Sequence, residues 1–346
     1  MFGRSSKIRV EVFAKSDLGR TRDHNEDRFL VADLTRKAAS LQPEVRRHEI
    51  GPRGTLFVVA DGMGGAAAGE VASAMATDTI YEHLVKTWNS EDEATPQRFA
   101  YRLKEAVEVA NASIHAHAKA HPEVRGMGTT TTAAGVLNDH LYLTQVGDSR
   151  AYLIRGGEAH QLTKDQSLMQ RLVEAGELTE EEAAQSERRN IILQALGPDA
   201  KVKVDLTHQE VRRGDILVLC SDGLSGQVKK DEIAKIVTAA GGDLSAACDQ
   251  LIALANERGG PDNITVVIAR FDGDGLRYSG SGQSEDVGHQ VYPLIDTETS
   301  TEPVPVYKGS RPPVPNREAR TNRTFTVVLI VLAVLALVAW YFTREP

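Results

Sequence analysis

Short runs rich in Val, Ile and Thr, most of them closed by Gly or Asp, punctuate residues 8–271 and limit what the chain can fold into. They are IRVEVFA from Ile8, LFVVAD from Leu56, TTTTAAGVL from Thr129, LYLTQVGD from Leu141, AYLI from Ala151, ILVLCSD from Ile216 and ITVVIARF from Ile264. Runs of this length and make-up predict strands. They come in neighbouring pairs, such as 130–137 with 140–147 across Asn138–Asp139, which is hairpin chemistry. Helical patterns lie between them. Residues 66–88 are Ala-rich, and 97–120 set Phe99, Leu103, Ala106, Val107, Ala110 and Ile114 near one face. Two short helices are expected over 167–176 and 179–185, the second opened by a Thr179/Glu182 capping box, and two more over 231–239 and 243–257. Strands and helices do not alternate strictly, so the class is α+β with antiparallel sheet rather than a doubly wound parallel sheet.

Two stretches differ from this pattern. Residues 272–324 are dominated by Gly, Ser, Thr and Pro and read as a disordered linker. Residues 325–342, FTVVLIVLAVLALVAWYF, carry no charge. Eighteen residues of helix span about 27 Å, near the thickness of a bilayer's hydrocarbon core. Trp340 and Tyr341 sit at one end, where interfacial aromatics belong. A single C-terminal transmembrane helix is therefore expected. Lys308, Arg311, Arg317, Arg320 and Arg323 precede it and put the domain of residues 8–271 on the cytosolic side. The N-terminus has no apolar signal region.

A net charge of -8 with no basic run in the folded part argues against nucleic-acid binding. Cys220 and Cys248 form no CxxC pair, so neither a zinc site nor a disulfide framework is expected, and Cys220 reads as core. No coiled-coil heptads appear, and a monomer is expected.

Carboxylates beside glycines mark the chemistry. Arg22-Asp23-His24-Asn25-Glu26-Asp27 stands just before a strand, and Asp61-Gly62-Met63-Gly64-Gly65 ends another. Ser221-Asp222-Gly223 ends a third, and Gly259-Gly260-Pro261-Asp262-Asn263 opens a fourth. An apolar strand delivers each acid, and glycine lets the backbone turn tightly beside it. Two carboxylates 4 Å apart repel by about 4 kcal/mol at an effective dielectric of 20, so a convergent set calls for cations or protons. Hard oxygen donors suit magnesium or manganese rather than zinc.

RTRDHNED, VVADGMGG, GTTTTA, VGDSRAYL, LTKDQSL, VEAGELT, NIILQALG, LCSDGL and GGPDNITVV occur in one order along residues 8–271. In that set and order the chain resembles type 2C metal-dependent serine/threonine protein phosphatases, especially the bacterial branch. The resemblance implies a four-layer α/β/β/α sandwich of two antiparallel sheets flanked by helices. It implies hydrolysis of phosphoserine and phosphothreonine in proteins by water activated between two cations, manganese or magnesium. Asp61 is implied to bridge the ions, Glu26 and the Gly62 carbonyl to complete one, and Asp222 and Asp262 to hold the other. Asp148 with Asp222 is implied to form a third, weaker site. Asp27 is implied to orient water, and Arg22 to grip the phosphate. Met63 stands where many eukaryotic members carry a histidine acid, which leaves water, another residue such as His24, or the third metal site to protonate the leaving group. The resemblance implies that residues 163–197 correspond to a segment that is mobile beside the active site in bacterial relatives, with Gly176 and Gly197 as hinges; two ordinary surface helices are the alternative. A membrane-bound serine/threonine kinase is the implied partner. The alternative is a phosphoprotein-binding pseudophosphatase, although none of the acidic positions is missing. The linker stretch Asp296–Glu302 offers a phosphorylation site or an inert spacer.

Overall fold

The apolar runs form strands, and each pairing between named strands is antiparallel. The structure is a computed structural model that describes residues 7–64, 68–278 and 287–294. In chain order the strands are β1 (Arg9–Asp17), β2 (Asp27–Asp33), β3 (Ala38–Ala39), β4 (Arg47–Glu49), β5 (Thr55–Met63), β6 (Gly128–Thr129), β7 (Thr131–Leu137), β8 (His140–Val146), β9 (Arg150–Arg155), β10 (Glu158–Gln161), β11 (Asp205–Glu210), β12 (Ile216–Cys220) and β13 (Ile264–Asp272). The helices are α1 (Pro43–Arg46), α2 (Ala68–Lys86), α3 (Pro96–Ala120), α4 (Leu168–Glu174), α5 (Glu180–Gln185), α6 (Asp222–Ser225), α7 (Lys230–Ala239) and α8 (Leu244–Glu257). One sheet runs β10-β9-β12-β13-β1-β4 and the other β11-β8-β7-β5-β2-β3, with β6 added to β5.

Side-chain alternation explains the layers. In β5, Phe57 and Val59 enter the core between the sheets, while Leu56, Val58 and Ala60 face α2 and α3. In β12, Leu217 and Leu219 point between the sheets, while Val218 and Cys220 face α7 and α8. A strand covered on both faces reads as one unbroken apolar run, which is why these were visible as such. The result is an α+β fold, two antiparallel sheets with helices on their outer faces. Every apolar residue expected on the inner face of α3 is buried there. Thr95 caps that helix, and the Thr179/Glu182 box opens α5. Asn138 turns the β7–β8 hairpin with φ +53.

The stretch expected to be linker is partly folded onto the domain. Leu276 is buried, and Arg213 donates to the Tyr278 hydroxyl at 2.7 Å. Residues 288–292 lie along the open edge of β11: His208 N donates to Gln290 O and Tyr292 N to Leu206 O, both at 2.9 Å. The Tyr292 ring meets Tyr142 and His208 edge-on, at 5.3 and 5.1 Å. Backbone pairing asks little of composition, so a polar, Gly-containing stretch still fills a strand edge. The rest of that stretch, the Asp296–Glu302 cluster and the apolar run 325–342 lie outside the described residues. Among the described residues no helix is long and apolar enough to cross a membrane.

Candidate metal centre

Opposing strand directions bring the acids to one end of the sandwich. Asp61 lies near the end of β5 and Asp27 at the start of β2, and the two are register partners. Asp222 is the first residue of α6, separated from the end of β12 by Ser221 alone, and Asp262 stands just before β13. Asp148 lies in the turn between β8 and β9. Glu26 precedes Asp27, and its backbone carbonyl accepts from Gly62 N at 3.2 Å.

These groups feel one another. Burial first, then Asp27, Asp222, Asp148 and Asp262, push the Asp61 carboxyl well above the usual carboxylate range. Burial and nearby acids raise Asp27 to about 7 and Asp148 to about 8. Asp222 is raised by burial and by Asp262, and Glu26 mainly by burial. Among the described residues no three carboxylates, histidines or cysteines close around one point. The group is a gathering of repelling acids whose positions are set by neighbours. Ser221 Oγ donates to Asp27 Oδ2 at 2.7 Å. Thr129 Oγ1 and Thr130 N donate to the Asp61 carbonyl at 2.9 and 2.8 Å.

The donors present fit hard divalent cations. Asp27 Oδ1 and Asp222 Oδ1 are buried with no hydrogen-bond partner, a cost that a cation or its water would remove. Gly62 and Gly69 press against Glu26. A Cβ on Gly69 would stand 2.7 Å from the Glu26 carboxyl carbon, and one on Gly62 would stand 2.3 Å from the Gly69 carbonyl oxygen. Both glycines keep the ground around Glu26 clear.

Arg22 Nη2 donates to Asp262 Oδ2 at 2.6 Å, and its side chain is about half exposed. His24 lies on the surface. Cys220 is sealed in the core beneath α7 and α8, with its thiol pushed up to about 12 by burial. Both roots of the 163–197 segment join the strands of the site. Gln166 Oε1 accepts from Gly147 N at 3.0 Å, next to Asp148, and Leu196 exchanges backbone bonds with Thr129.

Residues 41–259 match the family model described as protein phosphatase 2C. The chain belongs to the protein phosphatase 2C family. The serine/threonine phosphatase stp of Listeria monocytogenes is 36% identical over 258 residues, covering 75% of this chain and 94% of that protein. The serine/threonine protein phosphatase PstP of Mycobacterium tuberculosis is 39% identical over 256 residues, 74% of this chain and 44% of that one. A solved PstP catalytic domain in complex with two manganese ions superposes with a TM-score of 0.61 at 35% identity, covering 77% of this phosphatase and 99% of that chain. The family match leaves Arg22, Glu26, Asp27 and Asp262 outside its bounds. In this phosphatase the fold returns all four to the same end of the molecule as Asp61.

The residues that hold the acids in place are uncharged. Ser221, Thr129, Thr130 and Asn263 lie within the sequence motifs, yet hydroxyls and amides carry no charge signal of their own. Their contacts reach partners tens to hundreds of residues away.

Proposed function

We propose that this phosphatase releases phosphate from phosphoserine and phosphothreonine in proteins, using manganese or magnesium held at the Asp61 cluster. Glu26, Asp61 and the Gly62 carbonyl would hold one ion, Asp222 and Asp262 with Asp61 would hold a second, and Asp148 with Asp222 would hold a weaker third. The observation that carries this reading is the pair of orphaned, buried carboxylate oxygens on Asp27 and Asp222, inside a cluster of mutually repelling acids. Bound divalent cations supply Lewis acidity and bring the pKa of a water into the neutral range. The chain's own groups do the rest. Arg22 keeps guanidinium donors beyond the Nη2 held by Asp262, and these bind phosphate oxygens. Asp27 is steadied by Ser221 at one oxygen and orients water with the other. Met63 has no proton to give, so water protonates the departing alkoxide oxygen of the serine or threonine.

The apolar run 325–342 anchors the domain on the cytosolic face as a single transmembrane helix, close to membrane-bound kinases whose targets it reverses. Support comes from its uncharged length and from the basic residues before it. Alkaline carbonate extraction of membranes tests the anchor: release of the full chain into the soluble fraction would refute it.

The enzymatic test uses the full chain in detergent on a phosphothreonine peptide with manganese, beside Asp222→Asn. Metal-dependent release that collapses in the variant is the expected result. Manganese binding without release would favour the phosphoprotein-binding alternative. Equal release from both proteins would refute the ligand assignment.

A further inference from the structure

The segment that carries Arg22, Glu26 and Asp27 is joined to the distant Asp262 loop through one buried amide. Asn263 is 4% exposed. Its Oδ1 accepts from Glu26 N at 2.8 Å, and its Nδ2 donates to Leu18 O at 2.9 Å and to His24 O at 3.0 Å. Both amide protons and the amide oxygen are thus spent on the backbone of residues 18–26. The backbone of Asn263 is engaged as well. Its N–H donates to Asp262 Oδ1 at 2.8 Å, and its carbonyl lies where any Cβ on Gly223 would stand, 2.0 Å away. One residue therefore touches the segments that present Glu26, Asp222 and Asp262.

We propose that Asn263 is a positioning residue that sets the Glu26 side of the centre against the Asp262 side. The inference rests on the ligand assignment proposed above. Neighbouring contacts tie the same two loops: Arg20 N donates to Gly260 O and Thr21 Oγ1 to Pro261 O, each at 2.7 Å. These hold the outer part of the segment. Asn263 alone among these latches reaches the Glu26 amide itself. A carboxylate at this position would lose both donors, and an aliphatic side chain would lose every bond. Groups one layer behind a metal ligand fix its orientation, and losing one typically costs about 10–100-fold in metal affinity or activity.

The test compares the full chain with Asn263→Ala, and with Asn263→Leu, which restores volume should the alanine variant fold poorly. Two readouts are taken. Amide hydrogen exchange of the metal-free protein reads residues 18–26 against β12 and β13. Manganese titration reads binding calorimetrically and, separately, through phosphopeptide turnover. The expected result is loss of protection confined to residues 18–26. It is accompanied by a rise of about 10–100-fold in half-saturating manganese, with turnover recovering at saturating metal. Unchanged protection with superimposable manganese titrations would overturn the proposal. Protection lost equally from β12 and β13 would overturn it too, because that outcome describes a general support of the fold. Should the wild type bind manganese but release no phosphate, the proposed activity fails, while exchange and calorimetry still decide the role of Asn263.

Discussion

Gly69 sits in the first turn of α2, where alanine would favour the helix by about 1 kcal/mol. The Glu26 carboxyl occupies the space a methyl group would need. A methyl group there would also stand 2.8 Å from the Gly62 carbonyl carbon, so Gly69→Ala is expected to lower the melting temperature and to lower kcat/KM about 100-fold, since displacements near 1 Å cost that much. Thermal melting and steady-state assays at fixed manganese check both parts. Arg22→Lys keeps the charge and loses the forked geometry. A lost charge-assisted hydrogen bond is worth about 1.5–3 kcal/mol, so KM for the phosphopeptide should rise at least about tenfold. An unchanged KM would show that Arg22 does not hold the phosphate. Asp61, Asp222 and Asp262 were legible in the chain because each stands at a strand boundary within two residues of glycine, and Glu26 because it belongs to the acidic run that opens β2. Asn263 was not, because nothing in Pro-Asp-Asn announces that its amide closes on a loop some 240 residues earlier.

Elements explain what was legible in the fold. β5, β12 and β13 are covered on both faces, so burial wrote itself as continuous apolar runs. β11, DLTHQE, is polar and pairs β8 on one side only, and its other edge is filled by residues 288–292 through backbone bonds. Neither partner carries an apolar signature, and both were missed. Tyr292→Ala removes two edge-on ring contacts and should cost about 1–3 kcal/mol. Urea unfolding of the full chain measures it, and no change in midpoint would show that the docked stretch adds no stability. α3 offers a matched pair of tests. Phe99 is fully buried above Gly135 of β7, where a Cβ would come within 2.4 Å of its Cζ. Phe99→Ala should cost about 3–5 kcal/mol and Gly135→Ala about 1–3 kcal/mol by crowding.

At the scale of the whole molecule, the acidic end of the sandwich couples stability to pH. Asp27 and Asp148 are raised to about 7 and about 8 from an ordinary value of 3.8. Across that interval the metal-free folded state holds protons that the unfolded chain has released. Stability is therefore greatest at the acid end and falls as pH rises from about 4 to about 8. Manganese should raise the melting temperature more at pH 8 than at pH 6, since it meets carboxylates already stripped of protons. A pH-independent metal-induced shift would contradict the coupling. The pairing of β1 with β13, Arg9 opposite Asp272, bears on the birth of the protein. During synthesis β1 emerges with no neighbour on that side until the far end of the domain has been made. At ordinary elongation rates that wait is on the order of tens of seconds. Arg22 and Asp262 are separated by nearly the same length of chain, so a nascent polypeptide stalled before residue 262 lacks the carboxylate that Arg22 pairs with and the strand that follows it, and catalytic competence arrives only as the sandwich is completed.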